Sequence, residues 1–229
     1  MPRHARRRLL SRAAIVAVVF DLDGVLLDSE SVWERVRREL VAASGGTYPD
    51  GATREIMGMS APEWAHYIRT RLGVDLPETE IGARVVAGVI AAYDEALPLI
   101  RGAVDAVRRI AARVPVGIAS SSNRVLIDLA VERAGLRDVI RTAVSSEEVG
   151  RGKPAPDVYL RAAELLGVPA SACGAVEDSS NGIRSAHAAG MLTVAIPNRE
   201  YPPEQVALDL ADVVLHDIVA LEPATFGLH

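Results

Sequence analysis

The stretch AAIVAVVFDLDG, residues 13–24, decides how the rest of the chain is read. From Ala13 to Phe20 it is apolar without interruption and rich in β-branched side chains, which suits a strand covered on both faces in a parallel sheet. It then meets two carboxylates, Asp21 and Asp23, followed by Gly24. Open parallel sheets bind ligands outside the carboxyl ends of their strands, so an apolar run that delivers acidic residues at that end marks a site as well as a strand.

Shorter apolar runs recur at Val116 to Ala119, Ala143 to Ser145, Gly174 to Val176, Leu192 to Ile196 and Val213 to Leu215. Helical periodicity occupies Gly102 to Arg113, Arg124 to Ala134, Pro156 to Leu166 and Ser179 to Ala189, with stops at Gly135, Gly167 and Gly190. Strand alternating with helix predicts a doubly wound, Rossmann-like parallel α/β sheet. Residues 29–97 break the alternation, because they read as helices only: Val32 to Ala43, Ala61 to Leu72 and Thr79 to Ala96. That is too long for a crossover. We read residues 29–97 as an all-helical cap domain inserted into a core of residues 15–28 and 98–229. Hinges are expected near Asp28 to Glu30 and near Leu97 to Gly102, where Pro98 and Gly102 interrupt the helical pattern.

The bulk properties narrow the classes. A chain of 229 residues, 49% hydrophobic, can bury a sizeable core. Its net charge of -5 offers no general basic field for nucleic acid, so an anionic ligand needs a locally built site. Residues 1–14 carry Arg3, Arg6, Arg7, Arg8 and Arg12 and are expected to form a solvated basic tail, a targeting or membrane-surface arm being the alternative. The apolar stretch that follows is too short to span a bilayer and runs straight into acidic residues, unlike a signal peptide. A lone cysteine, Cys173, excludes an intramolecular disulfide and a multi-cysteine zinc site. A cytoplasmic protein is expected, with no nucleic-acid or membrane partner, monomeric or at most a weak dimer.

Chemistry collects behind the predicted strands. The first is followed by Asp21-Leu22-Asp23-Gly24, the second by Ser120-Ser121-Ser122-Asn123, the third by a loop to Lys153-Pro154, and the fourth by Glu177-Asp178. Two carboxylates as close as Asp21 and Asp23 repel each other unless a cation or hydrogen-bond donors hold them. Magnesium accepts oxygen ligands, and Asp21, a backbone carbonyl, Glu177 and Asp178 could supply them. The plainer alternative is a turn with a solvated acidic pair. Of 25 basic lysine and arginine residues, Lys153 is the single lysine. A compact ammonium suits a point contact between a carboxylate and a phosphoryl oxygen better than a planar guanidinium does. Ser120 could offer its hydroxyl, and the N–H groups after it, to a phosphoryl oxygen at a helix N-terminus. Ser121, Ser122 and Asn123 could equally be helix caps.

These motifs resemble the haloacid dehalogenase-like superfamily, in its phosphatase and β-phosphoglucomutase-like branch with a helical cap. The resemblance runs from about residue 15 to 215 and rests on Phe20 to Ser29, then Ser120, then Gly152-Lys153-Pro154-Ala155-Pro156-Asp157, then Val176 to Gly182. It implies that Asp21 is a nucleophile forming an aspartyl-phosphate and that Asp23 is the general acid and then base. Ser120 and Lys153 become phosphoryl contacts; Asp21, Asp23 through its carbonyl, Glu177 and Asp178 surround Mg²⁺. The implied substrate is a small phosphorylated metabolite, a sugar or polyol phosphate. Ser29, Trp33, Ser60, Ser121 and Asn123 are the further candidates for touching it, and Met57, Met59 and Trp64 fall in the same cap region.

Departures from the family pattern separate its reactions. Trp33 stands where β-phosphoglucomutase carries a histidine, and Ala61 where its cap carries an arginine, so a phosphatase is expected ahead of a mutase. The predicted cap has no lysine for the Schiff base of phosphonate hydrolysis. True dehalogenases lack the second aspartate and need no Mg²⁺, against Asp23 and the Glu177-Asp178 pair. A non-catalytic Mg²⁺ and phosphate binder is the alternative from a different class. His66, His187 and His216 show no metal spacing, Cys173 has no activating motif, and Ser120 lacks the Gly-x-Ser-x-Gly elbow of a serine hydrolase.

Overall fold

The structure is a computed structural model that describes residues 14–56 and 59–228. Six parallel strands form one sheet in the order β3-β2-β1-β4-β5-β6. They are β1 (Ala17–Phe20), β2 (Val116–Ser120), β3 (Ile140–Ser145), β4 (Cys173–Glu177), β5 (Leu192–Ala195) and β6 (Val213–Val214). The order reverses between β2-β1 and β1-β4, so β1 lies beside the topological switch point, where an open sheet leaves a crevice at its strand ends.

β1 is four residues long, shorter than the apolar run that announces it: Val16 is 42% exposed and Ala14 is also exposed. Within the strand the two faces alternate. Val18 and Phe20 enter one core cluster, and Ala17 and Val19 enter the other. Edge strand β3 begins three residues earlier than expected, at Ile140. Arg141 and Thr142 hide the strand in the sequence, and an edge position tolerates them because one side has no neighbouring strand.

Between β1 and β2 the chain forms α1 (Glu30–Ala43), α2 (Ala52–Ile56), α3 (Ala61–Arg71) and α4 (Glu78–Glu95), and then α5 (Ala103–Ala111) of the core. The all-helical insertion is therefore present, with one short helix, α2, that five residues are too few to announce by periodicity. Its interior is Trp33, Val36 and Val41 of α1, Trp64, Ala65 and Ile68 of α3, and Ile81, Val85, Val89 and Tyr93 of α4. Gly88 lets α4 approach α1: a Cβ there would come within 2.6 Å of Val36 Cγ1. The two connections to the core run side by side. Leu27 bridges Leu99 in antiparallel sense, the Asp28 N–H donates to the Pro98 carbonyl at 2.8 Å, and Ile100 N–H donates to Leu26 O at 2.9 Å. The rest of the core adds α6 (Arg124–Arg133), α7 (Asp157–Leu165), α8 (Ser180–Ala188) and α9 (Gln205–Leu208). No helix among the described residues is long and apolar enough to cross a membrane. The arginines of the expected basic tail and Met57 lie outside the described residues.

Candidate active site

The carboxyl ends of β1, β2 and β4 and the loop after β3 converge on a cavity of about 530 Å³, closed from the other side by α1, α2 and α3. Asp21, Asp23, Gly24, Lys153 and Asp178 line its floor, and Glu30, Trp33, Arg37, Arg54 and Trp64 line its roof.

Lys153 is the hinge of the floor. Its ammonium donates to Asp21 Oδ1 at 2.8 Å, to Glu177 Oε1 at 2.6 Å and to the Ala119 carbonyl at 3.1 Å, so three elements meet at one nitrogen. The peptide between Lys153 and Pro154 is cis. Burial opposes the charge on Lys153, yet Asp21 and Glu177 hold its pKa above the ordinary lysine value. A buried ammonium with two anions and a carbonyl is saturated, which fixes it at this point.

Glu177 does more than the sequence reading asked of it. Oε1 accepts from Lys153 and from the Tyr159 hydroxyl at 2.7 Å; Oε2 accepts from the Asp178 N–H at 3.1 Å and from the N–H and hydroxyl of Ser179. Gly182, in the first turn of α8, makes room for this carboxylate, since a Cβ would fall 1.9 Å from its Cδ. Ser179 caps the same helix by accepting from the Gly182 N–H at 3.1 Å. The tight packing accounts for glycine at the third position of the Ser-Asn-Gly run.

Carboxylates of Asp21, Glu177 and Asp178 bring one oxygen each within 4.8 Å of one another. Burial first, and then the Glu177 charge, pushes the Asp21 carboxyl up to about 8 against the lowering pull of Lys153. Asp178 is raised for the same two reasons, with Asp21 adding to them, while Asn198 steadies it through a 3.4 Å hydrogen bond. Crowded, buried oxygen donors that resist ionising together fit a hard divalent cation, whose charge would favour the ionised forms. Gly24, at φ 79°, turns the chain beneath Asp178, and a Cβ there would overlap Asp178 Oδ2 at 1.9 Å.

Asp23 points to a different set of partners. Ser29 Oγ donates to its Oδ1 at 2.5 Å, and Ser122 Oγ at 2.5 Å and Ser120 Oγ at 3.4 Å donate to its Oδ2. Ser120 also accepts from the Ser122 N–H at 3.0 Å. Ser120 and Ser29 are thus buried beneath Asp23, outside the cavity wall, while Ser121, Ser122 and Asn123 line it. Asn123 donates through Nδ2 to Glu147, whose other oxygen receives the Arg124 N–H at the start of α6.

Of the cap candidates, Trp33 lines the cavity and Ser60 does not. Ser60 is the N-cap of α3, with its N–H and hydroxyl both donating to Glu63 Oε2 at 2.7 and 2.6 Å, while the neighbouring Met59 faces the cavity. Sequence reasoning passed over Glu30, Arg37, Arg54, Tyr159 and Asn198. Three of these were within reach: Glu30 and Arg37 share one face of α1 with Trp33 at spacings of three and four, and Tyr159 on the apolar face of α7 must find a partner for its hydroxyl.

With this geometry in place, comparison with known proteins decides the family. The model of the haloacid dehalogenase-like hydrolases matches residues 15–190. The chain belongs to that family. Hexitol phosphatase B of Escherichia coli K12 is 33% identical over 214 residues, covering 90% of this chain and 94% of that protein. A probable pseudouridine-5'-phosphatase of Drosophila melanogaster is 31% identical over 217 residues, covering 92% and 93%. Among solved structures, CbbY from Rhodobacter sphaeroides in complex with phosphate superposes with a TM-score of 0.84 at 26% identity, over 93% of this chain and all of that one. This member of the haloacid dehalogenase-like hydrolases is an enzyme of the phosphoric monoester hydrolase class, in its sugar-phosphatase branch.

Proposed function

We propose that the enzyme is a magnesium-dependent phosphatase that hydrolyses a small sugar or polyol phosphate through a phosphorylated Asp21. The observation that carries this reading is the Lys153 ammonium on Asp21 at the floor of a cavity, with Asp178 beside it. Residues 29–97 act as the cap, residues 15–28 and 98–229 as the catalytic core. The hexitol phosphatase among the relatives supports the substrate class.

Asp21 and Asp178 would hold Mg²⁺ with the Asp23 carbonyl, and Glu177 beside them anchors Lys153 as well. When bound, the cation offsets the negative charge of the phosphoryl oxygens and of the approaching carboxylate. Asp21 attacks phosphorus as the bond to the alkoxide breaks, and Asp23 gives that oxygen its proton. In the second half a water attacks the phosphorylated Asp21, Asp23 takes the water's proton, and inorganic phosphate leaves with the Asp21 carboxylate restored. Three hydroxyls hold Asp23 in position for both transfers. Trp33 and Trp64 exclude water above the site. Phosphate release from a panel of hexitol and sugar phosphates, with Mg²⁺ and with excess chelator, tests the reading. Release that needs Mg²⁺ is expected, and full activity in chelator would overturn the metal assignment.

A further inference from the structure

The roof of the cavity holds polar groups that nothing among the described residues satisfies. Arg37 is 6% exposed, yet its Nε and Nη1 have no hydrogen-bond partner among the described residues, and neither does Oε2 of Glu30. Both residues line the cavity and lie two turns apart on α1. A buried donor or acceptor left unpaired costs free energy, so such a pair in a native fold calls for an occupant. The stacking around Arg37 sharpens this. Its guanidinium carbon sits 4.9 Å from the Trp33 ring centroid and 5.6 Å from that of Trp64, and the two rings meet edge to face at 6.3 Å. The aromatic faces attract the charge but leave the Nε and Nη1 donors without acceptors.

We propose that Glu30 and Arg37 are specificity-determining residues that bind hydroxyl groups on the unphosphorylated carbons of the substrate, so that the enzyme selects polyhydroxylated monophosphates. The inference rests on the phosphatase reading above and deepens it. A hydroxyl accepts from Arg37 with one lone pair and donates its proton to Glu30, so a polyol satisfies both kinds of orphan at once. A second phosphate or a carboxylate would satisfy Arg37 and meet the like charge of Glu30, with Asp23 in the same cavity. Trp33 and Trp64 give the carbon chain apolar surface between the two ends. A roof that reads hydroxyls discriminates strongly, because a substrate without them leaves buried groups unpaired in the complex.

The test measures kcat/KM, with Mg²⁺, for sorbitol 6-phosphate, p-nitrophenyl phosphate and fructose 1,6-bisphosphate. Wild type is compared with Arg37→Met and Glu30→Met, which keep side-chain length and remove the polar groups. For each variant the expected result is a fall of about tenfold or more in the ratio of sorbitol 6-phosphate to p-nitrophenyl phosphate turnover, with melting temperatures recorded alongside. If Arg37→Met does not melt cooperatively, Glu30→Met carries the decision. A ratio within about twofold of wild type in a folded variant overturns the proposal. So does a wild-type preference for the bisphosphate that Arg37→Met abolishes, which would make Arg37 a second anion site. Wild-type hydrolysis of p-nitrophenyl phosphate alone sinks the polyol assignment and leaves the phosphatase standing. No release from any of the three removes the phosphatase reading and this inference together.

Discussion

The floor and the roof of one cavity are built on opposite terms. On the floor, Lys153, Glu177 and Asp23 are saturated by the protein itself: three acceptors on Lys153, five donor groups on Glu177, three hydroxyls on Asp23. In the roof, Arg37 and Glu30 keep unsatisfied atoms. Under the proposed function, the difference teaches how chemistry and selection divide between the two halves. Phosphoryl transfer is mostly positioning and electrostatics, so its groups gain from being fixed before substrate arrives. Selection gains from groups whose partners arrive with the substrate.

The harshest way to break the floor is at Asp21, the proposed nucleophile. Asp21→Asn keeps the shape and removes the anionic oxygen, and turnover is expected to drop by about a thousandfold or more, as loss of a covalent nucleophile does. Circular dichroism and melting should stay close to wild type, with an increase in stability expected because a buried carboxyl raised to about 8 is relieved. Retained activity, with deamidation excluded by mass spectrometry, would remove Asp21 from the mechanism.

Lys153→Arg comes next and asks whether geometry or charge matters. A guanidinium keeps the charge but spreads it over a plane, and no single nitrogen can sit 2.8 Å from Asp21, 2.6 Å from Glu177 and 3.1 Å from Ala119 O together. Loss of one placed donor costs about 10²–10³ in rate, and that is the expected fall in kcat. Near-wild-type turnover would mean that the chain's single lysine is replaceable by the arginine it otherwise uses.

This floor was legible because its chemistry sits in short contiguous motifs at strand ends: Asp21 to Gly24, Ser120 to Asn123, Lys153-Pro154, Glu177-Asp178. The strand-helix alternation placed those motifs together before any coordinate did. The roof was not legible in the same way. Ser60 read as a substrate contact because of its position beside the cap loop, but a serine followed three residues later by Glu63 is a capping box, and that is what it forms. Arg37 was passed over: its spacing from Trp33 marks a shared face of α1, but nothing in a single helix says that the neighbouring α3 will cover it. Burial of Arg37 is a property of how Trp64 meets Trp33, which is tertiary. The second role of Glu177 was hidden for a similar reason: Tyr159 comes from a different helix.

Metal removal tests whether Asp21 and Asp178, the floor carboxylates that the protein leaves crowded, need a cation. Asp21 binds its proton more tightly folded than unfolded, with a pKa near 8 against an ordinary 3.8, and Asp178 shifts in the same direction. A folded pKa raised in this way contributes stability fully below about 4, and the contribution is lost as pH rises through about 8. Metal-free protein should therefore lose melting temperature from pH 5 to pH 8. Mg²⁺ at about 100 times its dissociation constant should return about 2.7 kcal/mol at pH 8, or about 5–10 °C. The increment at pH 5 should be smaller, because metal binding must there displace protons. A Mg²⁺ increment independent of pH would place the cation away from Asp21 and Asp178.

Tyr159→Phe is the mildest disturbance and separates anchoring from chemistry. The hydroxyl is buried, does not line the cavity, and donates to Glu177 Oε1 at 2.7 Å, the same oxygen that accepts from Lys153. Removing it leaves no orphan on phenylalanine, and Glu177 keeps Lys153 and the donors at Oε2, so the loss is one hydrogen bond to a charged acceptor. Such a bond is worth about 1.5–3 kcal/mol at most, and the remaining partners of Glu177 place the expected destabilisation at the low end, about 1.5 kcal/mol by denaturant melting. Lys153 still has Asp21 and the Ala119 carbonyl, so kcat should fall by less than about tenfold and KM should hardly move. Glu177→Gln provides the contrast: it removes one of the two anions that hold the ammonium, and kcat should fall further than in Tyr159→Phe at a similar loss of stability. If Tyr159→Phe instead matches Lys153→Arg in rate, then Glu177 orientation, and not the ammonium alone, sets the position of the phosphoryl group. The saturation of the floor would then be a catalytic requirement in its own right.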